Sequence, residues 1–584
     1  MSVADATSSS SDLSTPQTRP PRHPVVRWFK AIAIIIATLI IFVVAAFYIA
    51  LHLIDFNKYQ PLIANELNQK LGIEAEFNGE VRAQKWPFAM QADQLTLQGE
   101  WQDYWWRAEI EDVKIKLSLN DLVRQQQANP VGIEWLVSTL SWGELGQEQP
   151  IASINDWQGE AGMSQLDQQA WFIDMQFYLA EKLQRIQINP LAYDKSTQTL
   201  SWQELVWRQG HQAEKVMTAQ GSITWQPSLN WSLSANLVNL NPRELTEVFG
   251  AHWPNFVAED AFTRLSGQLD TRGEPQSWSL DMAPLTLDQT QLTGQIEFRD
   301  QVKLQLGLSL DELNMDFYRA HSSLQPGETY LPIAVPVTTL RETPFEGKLA
   351  INSLRLWGGH YQNIQASMSG EAGLVELNPL RVDLYQGHWA GDMLIDVTGD
   401  TPAFGLNWHW HEVMIGDWLA AIMDYRDLSG QLNGQARIQT AGSNEQALKY
   451  NAQGQFELQL LNGEYRGLDL NRLLMAQIPQ AGDTTVFQQL TVSGQIVDGV
   501  MTVRPIQLAS TNFDISGHGQ VHLPTSLTRG QLILDYKQPP TPLGFLAGAK
   551  LPVEMDGPLL APRWFIDSRE VLQHNNLLDL FIGH

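Results

Sequence analysis

Beyond residue 55 the chain alternates between apolar and polar positions. Val302, Leu304, Leu306, Leu308 and Leu310 interleave with Lys303, Gln305, Gly307 and Ser309. Val113, Ile115, Leu117 and Leu119 interleave with Lys114, Lys116 and Ser118, and a looser version surrounds Leu532 and Leu534. Successive side chains of a strand point to opposite faces, so a period of two predicts strands with one apolar and one polar side. Long helical periodicity is scarce. The clearest instance starts near Pro61 and carries Leu62, Ile63, Leu67 and Leu71 to a stop before Gly72.

Two motifs punctuate the strands. In the first, an apolar-x-apolar pair meets Asn, Asp or Gly: Leu117 and Leu119 before Asn120, Val238 and Leu240 before Asn241, Leu313 and Met315 before Asp316, Val413 and Ile415 before Gly416, Leu468 and Leu470 before Asn471. Such residues end a strand and cap a helix, and Pro242 fits a first helical position. The motif predicts short helices that cover sheet faces or ends. In the second motif a Gly precedes a Pro-apolar strand that leads to another Gly. The copies are Gly267, Pro284 and Gly294; Gly370, Pro379 and Gly391; and Gly494, Pro505 and Gly517. They predict an irregular repeat of β-meanders, with Pro at strand starts or edges and Gly at turns or bulges.

One stretch breaks the alternation. Ala31 to Leu51 is uncharged and rich in Ile, Ala, Val, Leu and Phe. At 1.5 Å per residue it reaches about 31 Å, the thickness of a bilayer's hydrocarbon core. It is longer than the core of a secretory signal and lacks a small-residue cleavage site, which predicts an uncleaved anchor. Arg19, Arg22, Arg27 and Lys30 precede it, while Asp55 follows. Cationic flanks stay cytoplasmic, so the N-terminus is expected inside and the bulk of the chain exported. The expected organisation is a disordered cytoplasmic tail over 1–26, a transmembrane anchor over 27–54 and two β regions, 55–335 and 336–584. They meet in the Pro-rich stretch around Pro332 and Pro336. The tail from Asp567 to His584 reads as a short helix able to cover the last sheet edge.

Composition narrows the partners. A net charge of −26 argues against nucleic acid and against attachment of the body to anionic lipid. The absence of cysteine removes disulfides, thiol catalysis and Cys-based zinc sites. The 21 tryptophans suit surfaces apolar on one side and wet on the other, or simple sheet packing. No nucleophile elbow, phosphate-binding loop or His-Glu-x-x-His motif occurs. His409 and His411 share one face of a strand with Glu412 on the other, but no third or fourth ligand is signalled. Asp392, Asp396 and Asp400 are scattered, and nothing singles out a carboxylate pair. The reading is therefore of no catalytic residue, no cofactor and no metal. Val302, Leu304, Leu306, Leu308 and Leu310 are the candidate face for an apolar ligand.

The order of elements resembles a known family. A basic tail and one apolar segment lead into Asp55, Phe56, Leu71, Gly72, Phe77, Gly79, Val81, Trp86 and Pro87, then a strand at Leu95 and Leu97. The opening is similar to that of the AsmA family of Gram-negative inner-membrane proteins. Phe345 to Gly391 resembles that family's C-terminal region, most sharply at Leu384, Tyr385, Gly387 and Gly391. Three later stretches, "GQLNGQARIQTAG", "LNGEYRGLDLNRLL" and "LPVEMDGPLLAPRWFID", are similar to it as well. The resemblance implies an inner-membrane anchor through residues 31–53, a periplasmic body and a role in outer-membrane assembly or lipid homeostasis. Its larger relatives resemble bridge-like lipid carriers. The expected fold is mainly β with short helices, one N-terminal transmembrane helix and a large bent or groove-forming antiparallel sheet. About 30 strands at ~4.8 Å would extend ~140 Å in single file. The expected partners are phospholipid acyl chains and outer-membrane assembly proteins. A scaffold that acts on outer-membrane proteins without carrying lipid is the alternative, and a periplasmic hydrolase a third. Alternating strands also allow sandwiches that seal their apolar faces against each other.

Overall fold

The computed structural model describes residues 74–566, apart from 86–87, 102–103, 119–129, 148, 151, 165–169, 180–181, 211–213, 226–227, 249–252, 254–256, 300–302, 320–329, 331–334, 471, 473–479, 481, 540 and 542–549. The expected tail, anchor, post-anchor helix and C-terminal helix lie outside the described residues, as do Val302 and the junctions at Asn120 and Asn471.

The alternating segments form one sheet of 27 strands. Its first part comprises β1 (Glu74–Lys85), β2 (Phe88–Trp101), β3 (Tyr104–Leu117), β4 (Pro130–Glu144), β5 (Ala152–Met163), β6 (Trp171–Leu179), β7 (Lys182–Asp194), β8 (Thr199–Gln209), β9 (Glu214–Thr224), β10 (Asn230–Leu240), β11 (Leu265–Glu274), β12 (Ser277–Leu287), β13 (Thr290–Arg299) and β14 (Lys303–Asn314). The second comprises β15 (Phe345–Leu356), β16 (Gly359–Glu371), β17 (Leu374–Leu384), β18 (Gly387–Asp396), β19 (Ala403–Met414), β20 (Leu428–Ala441), β21 (Gln453–Arg466), β22 (Thr484–Val497), β23 (Val500–Ala509), β24 (Phe513–His522), β25 (Leu527–Tyr536), β26 (Lys550–Pro558) and β27 (Arg563–Ile566). Each strand pairs with its neighbours in sequence, as β1 with β2, β13 with β14 and β26 with β27. The pairs are antiparallel with one exception. β14 and β15 run parallel, in register from Leu304 opposite Phe345 to Asn314 opposite Arg355. A parallel pair needs a crossover, and residues 315–344 supply it. The hydrogen-bonded ladder passes directly from β14 to β15.

Register converts the alternation into a continuous surface. Partnered residues share a face. Starting at Ile115 in β3, the partners run Ile133, Ala161, Ile173, Ile188, Leu205, Ala219, Ala235, Leu269 and Met282 in β12. From Met282 they continue through Gly294, Leu308, Leu349, Ala366, Leu380, Gly391 and Trp408 in β19. The row then passes Ala436, Phe456, Gly494, Val503, Gly519, Gly530 and Met555 to Trp564 in β27. No polar side chain interrupts it. The opposite face reads Gln365, Arg381, Ala390, His409, Gln435, Glu457 and Ser493 across β16 to β22.

The second motif has a structural meaning different from the expected strand starts and edges. Pro284, Pro379 and Pro505 sit inside interior strands, each within a register shift, between Met282 and Leu285, Leu377 and Leu380, and Val503 and Ile506. The ladder skips the two intervening residues, so the missing prolyl N–H leaves no ladder bond unmade, and a bulge bends the strand. The glycine of the next strand is a close-approach site. A Cβ on Gly391 would overlap the carbonyl oxygen of Asn407, and one on Gly294, at φ +148°, that of Gly307.

The first motif yields short helices at the described junctions. α1 (Pro242–Val248) follows β10, and the Glu244 amide donates to Asn241 Oδ1 at 3.1 Å. α2 (Met315–Tyr318) follows β14 and is capped by Asn314, two positions before the expected cap at Asp316. Asp316 instead accepts the backbone N–H groups of Trp357 and Gly358 at 2.8 Å each, tying down the turn between β15 and β16. α3 (Val337–Glu342) leads into β15. α4 (Ile415–Met423) follows β19, so Gly416 lies inside the helix and does not cap it. α5 (Glu445–Tyr450) follows β20. One parallel pair among antiparallel ones gives β10, β14 and β19 a common direction, so α1, α2 and α4 line one long edge. Among the described residues no helix is long and apolar enough to cross a membrane.

Gly391→Ala is expected to loosen β18 and β19 by about 1–3 kcal/mol through overpacking, read as faster amide hydrogen exchange in those strands. Gly399→Ala, whose Cβ would meet nothing within 4 Å, is the control and is expected to leave exchange unchanged.

Candidate functional site

The apolar face differs in accessibility along its length. At the N-terminal end it is sealed: Ile110 is 0 % exposed, and Ile133 and Trp135 are 1 % exposed. Trp135 packs edge-on against Trp157, with ring centroids 5.7 Å apart. At the C-terminal end Leu534 and Tyr536 are again 1 % exposed. There Tyr465 of β21 meets Trp564 of β27 edge-on at 6.0 Å, although six strand spacings in a flat sheet would separate them by about 29 Å. The sheet must therefore curl with its apolar face inward.

Between these ends the face is mixed: Ile351, Leu380, Val382 and Val413 are buried, while other positions are only half-buried. Leu304, Leu306, Leu308 and Leu310 all lie on it, and all are half-buried. Leu292, Ile296 and Phe298 on β13 and Phe404, Leu406, Trp408 and Trp410 on β19 are in the same state. Small helices wall this stretch along one edge. Ile415, Trp418 and Leu419 of α4 pack with Leu384, Val413, Leu432, Leu460 and Phe487, while Leu245 of α1 packs with Leu237 and Leu240.

The electrostatics keep charge off this face. Burial pushes the Tyr361 hydroxyl up, outweighing the hydrogen bond that the Trp418 indole donates to it at 3.3 Å. Burial, with the nearby Asp469 charge, pushes Tyr536 up to about 12. Both phenols stay neutral at physiological pH. Ionic groups belong to the other face, where Arg185 reaches Asp174 through two hydrogen bonds, at 2.8 and 2.6 Å. Burial raises the Asp174 pKa, but hydrogen bonds from Arg185 and Gln187 and the Arg185 charge outweigh it and hold the carboxyl below its usual range.

The histidines of the Trp-His-Trp-His-Glu stretch sit on the polar side. His411 stacks on His388 at 5.0 Å, and its Nδ1 lies 3.8 Å from the Glu412 carboxylate. Among the described residues no group of three or more His, Asp or Glu is arranged to hold a metal. Asp392 accepts from Asn407, and Asp396 accepts from Thr398 in a turn, so these carboxylates serve local structure. The tryptophans of the same stretch were the residues to read. Trp408 and Trp410 alternate with the histidines and so occupy the apolar face, where Trp389 of β18 joins them. Trp389 and Trp408 pack at 4.6 Å and 76°, and Trp408 and Trp410 at 5.8 Å and 85°.

The class defined by this arrangement is a single-sheet protein with one unbroken apolar face, sealed at both ends and only partly buried at many positions between. The model of the AsmA family matches residues 265–506, so this stretch of the chain is similar to that family. The matched span runs from the start of β11 into β23. No curated protein matches the chain.

The absence of cysteine makes accessibility directly measurable. A single Leu306→Cys is expected to react with a small thiol reagent at least tenfold faster than Ile110→Cys under native conditions. Equal rates would mean that the two positions are equally sealed.

Proposed function

We propose that the protein shelters the acyl chains of phospholipids in a trough formed by the apolar face. It does so from the inner membrane, anchored through residues 31–53 with its N-terminus in the cytoplasm and its body in the periplasm. The observation that carries this reading is the uninterrupted apolar row from Ile115 to Trp564, buried at Met282, Leu380 and Ala436 but only half-buried at Leu308, Leu349 and Trp408. A soluble protein gains nothing by leaving such a surface in contact with water. An acyl chain gains about 0.8 kcal/mol per buried CH₂, so a sixteen-carbon chain gains on the order of 12 kcal/mol. A continuous row needs no specific pocket for this, because the tail contacts only apolar side chains and the head group stays in water. The AsmA family's association with the cell envelope and outer-membrane biogenesis agrees with a body working between two membranes. No chemical step and no cofactor enter this function.

The test uses the full-length protein solubilised in a mild detergent. Mass spectrometry is expected to find co-purified phospholipid at near-stoichiometric amounts. A photoreactive residue at Leu308 is expected to crosslink it, and Leu306→Glu to lower the yield at least tenfold, about 1.4 kcal/mol of lost binding, with an unchanged circular dichroism spectrum. Unfolding of Leu306→Glu would make the face an ordinary core. Outer-membrane proteins recovered in place of lipid would favour an assembly factor.

A further inference from the structure

Several half-buried indole N–H groups in this protein have a built acceptor. Trp207 donates to Gln184 Oε1 at 2.8 Å, Trp231 to Thr271 Oγ1 at 3.2 Å and Trp418 to the Tyr361 hydroxyl at 3.3 Å. Trp389 and Trp408 differ. Their Nε1 atoms are shielded from water and find no acceptor among the described residues. A buried donor left without an acceptor costs stability, and an edge-to-face ring is a weaker acceptor than a carbonyl. Trp202 is in the same state, but it packs against the sealed N-terminal core. Trp389 and Trp408 stand in the accessible stretch, on half-buried rings.

From these two donors we infer that Trp389 and Trp408 form a station on the apolar row that recognises the ester carbonyls of an acyl-ester lipid. The inference rests on the trough reading and adds the chemistry of the ligand. Around the station the surface is hydrocarbon: Val382 lies beside Trp389, and Ala436 and Phe456 continue the row from Trp408. An acyl tail along the row places its ester where the apolar stretch first offers hydrogen. At 4.6 Å and 76° the two rings shield each other's edges. Lipid entry turns them apart, and each N–H that had no carbonyl gains one. Tryptophan suits this position, because its body is apolar and its one polar atom is a donor. The station sets where along the row a lipid pauses, while the rest of the row binds tails without regard to register.

The experiment compares full-length protein binding to diacyl phosphatidylethanolamine and to its dialkyl ether analogue, which has the same head group and tails but no carbonyls. The wild type is expected to hold the diacyl lipid at least fivefold more tightly. The Trp389→Phe/Trp408→Phe double variant keeps both rings and is expected to bind the two lipids equally, with thermal unfolding unchanged. Trp418→Phe, whose N–H has an acceptor in Tyr361, is expected to keep the preference. Equal binding by the wild type, or a preference that survives in the double variant, would overturn the station while leaving the trough intact. Wild-type protein that binds neither lipid would overturn the trough and the station with it.

Discussion

The structure depends on phase. A strand's side chains change face at every residue, so a slip of one position anywhere in a 27-strand ladder would turn the remaining apolar residues toward water. The apolar row survives because each bulge keeps phase. At Pro284, Pro379 and Pro505 the ladder steps from one apolar residue to another three positions on. Val238 and Asn239 are skipped in the same way between Leu237 and Leu240, and His411 and Glu412 between Trp410 and Val413. Asn239 and Glu412 take up the left-handed conformation that the extra residue demands. The sheet thereby bends repeatedly without exchanging its faces.

Much of this was legible in the sequence. Alternation located the strands, and the junction motif located α1 and, two residues late, α2. The glycine-proline repeat does mark consecutive hairpins, but its prolines lie at bulges inside interior strands and not at strand starts or edges. Read closely, it is an apolar-x-Pro-apolar signature: Met282 to Leu285, Leu377 to Leu380 and Val503 to Ile506. A fourth copy, Ile188 to Leu191, falls in β7, where Pro190 is likewise skipped. The parallel joint was not legible. Local sequence fixes a strand's faces but not its direction, and the return path of residues 315–344 depends on what the crossover packs against.

Accessibility was not legible either, because it is set by residues far apart in the chain. Leu534 and Leu306 both sit in alternating strands, Leu306 in the cleaner one, yet only Leu534 is sealed. What separates them is curl, visible where Tyr465 reaches Trp564. The tryptophan group was hidden for a simpler reason. In the Trp-His-Trp-His-Glu stretch the histidines drew the chemical reading, but the period of two assigns the accessible apolar face to the residues between them.

The pairing of each strand with its neighbours in sequence also bears on how the chain assembles. A protein made from its N-terminus presents each new strand to a partner already in place, so the ladder can grow by short closures that cost little chain entropy. The joint between β14 and β15 is the exception. There the growing edge waits until the whole crossover has emerged and folded back, with β14 exposed meanwhile as a long open edge next to Leu304–Leu310. Synthesis thus reaches its most vulnerable moment halfway along the molecule, at the centre of the surface on which its use depends.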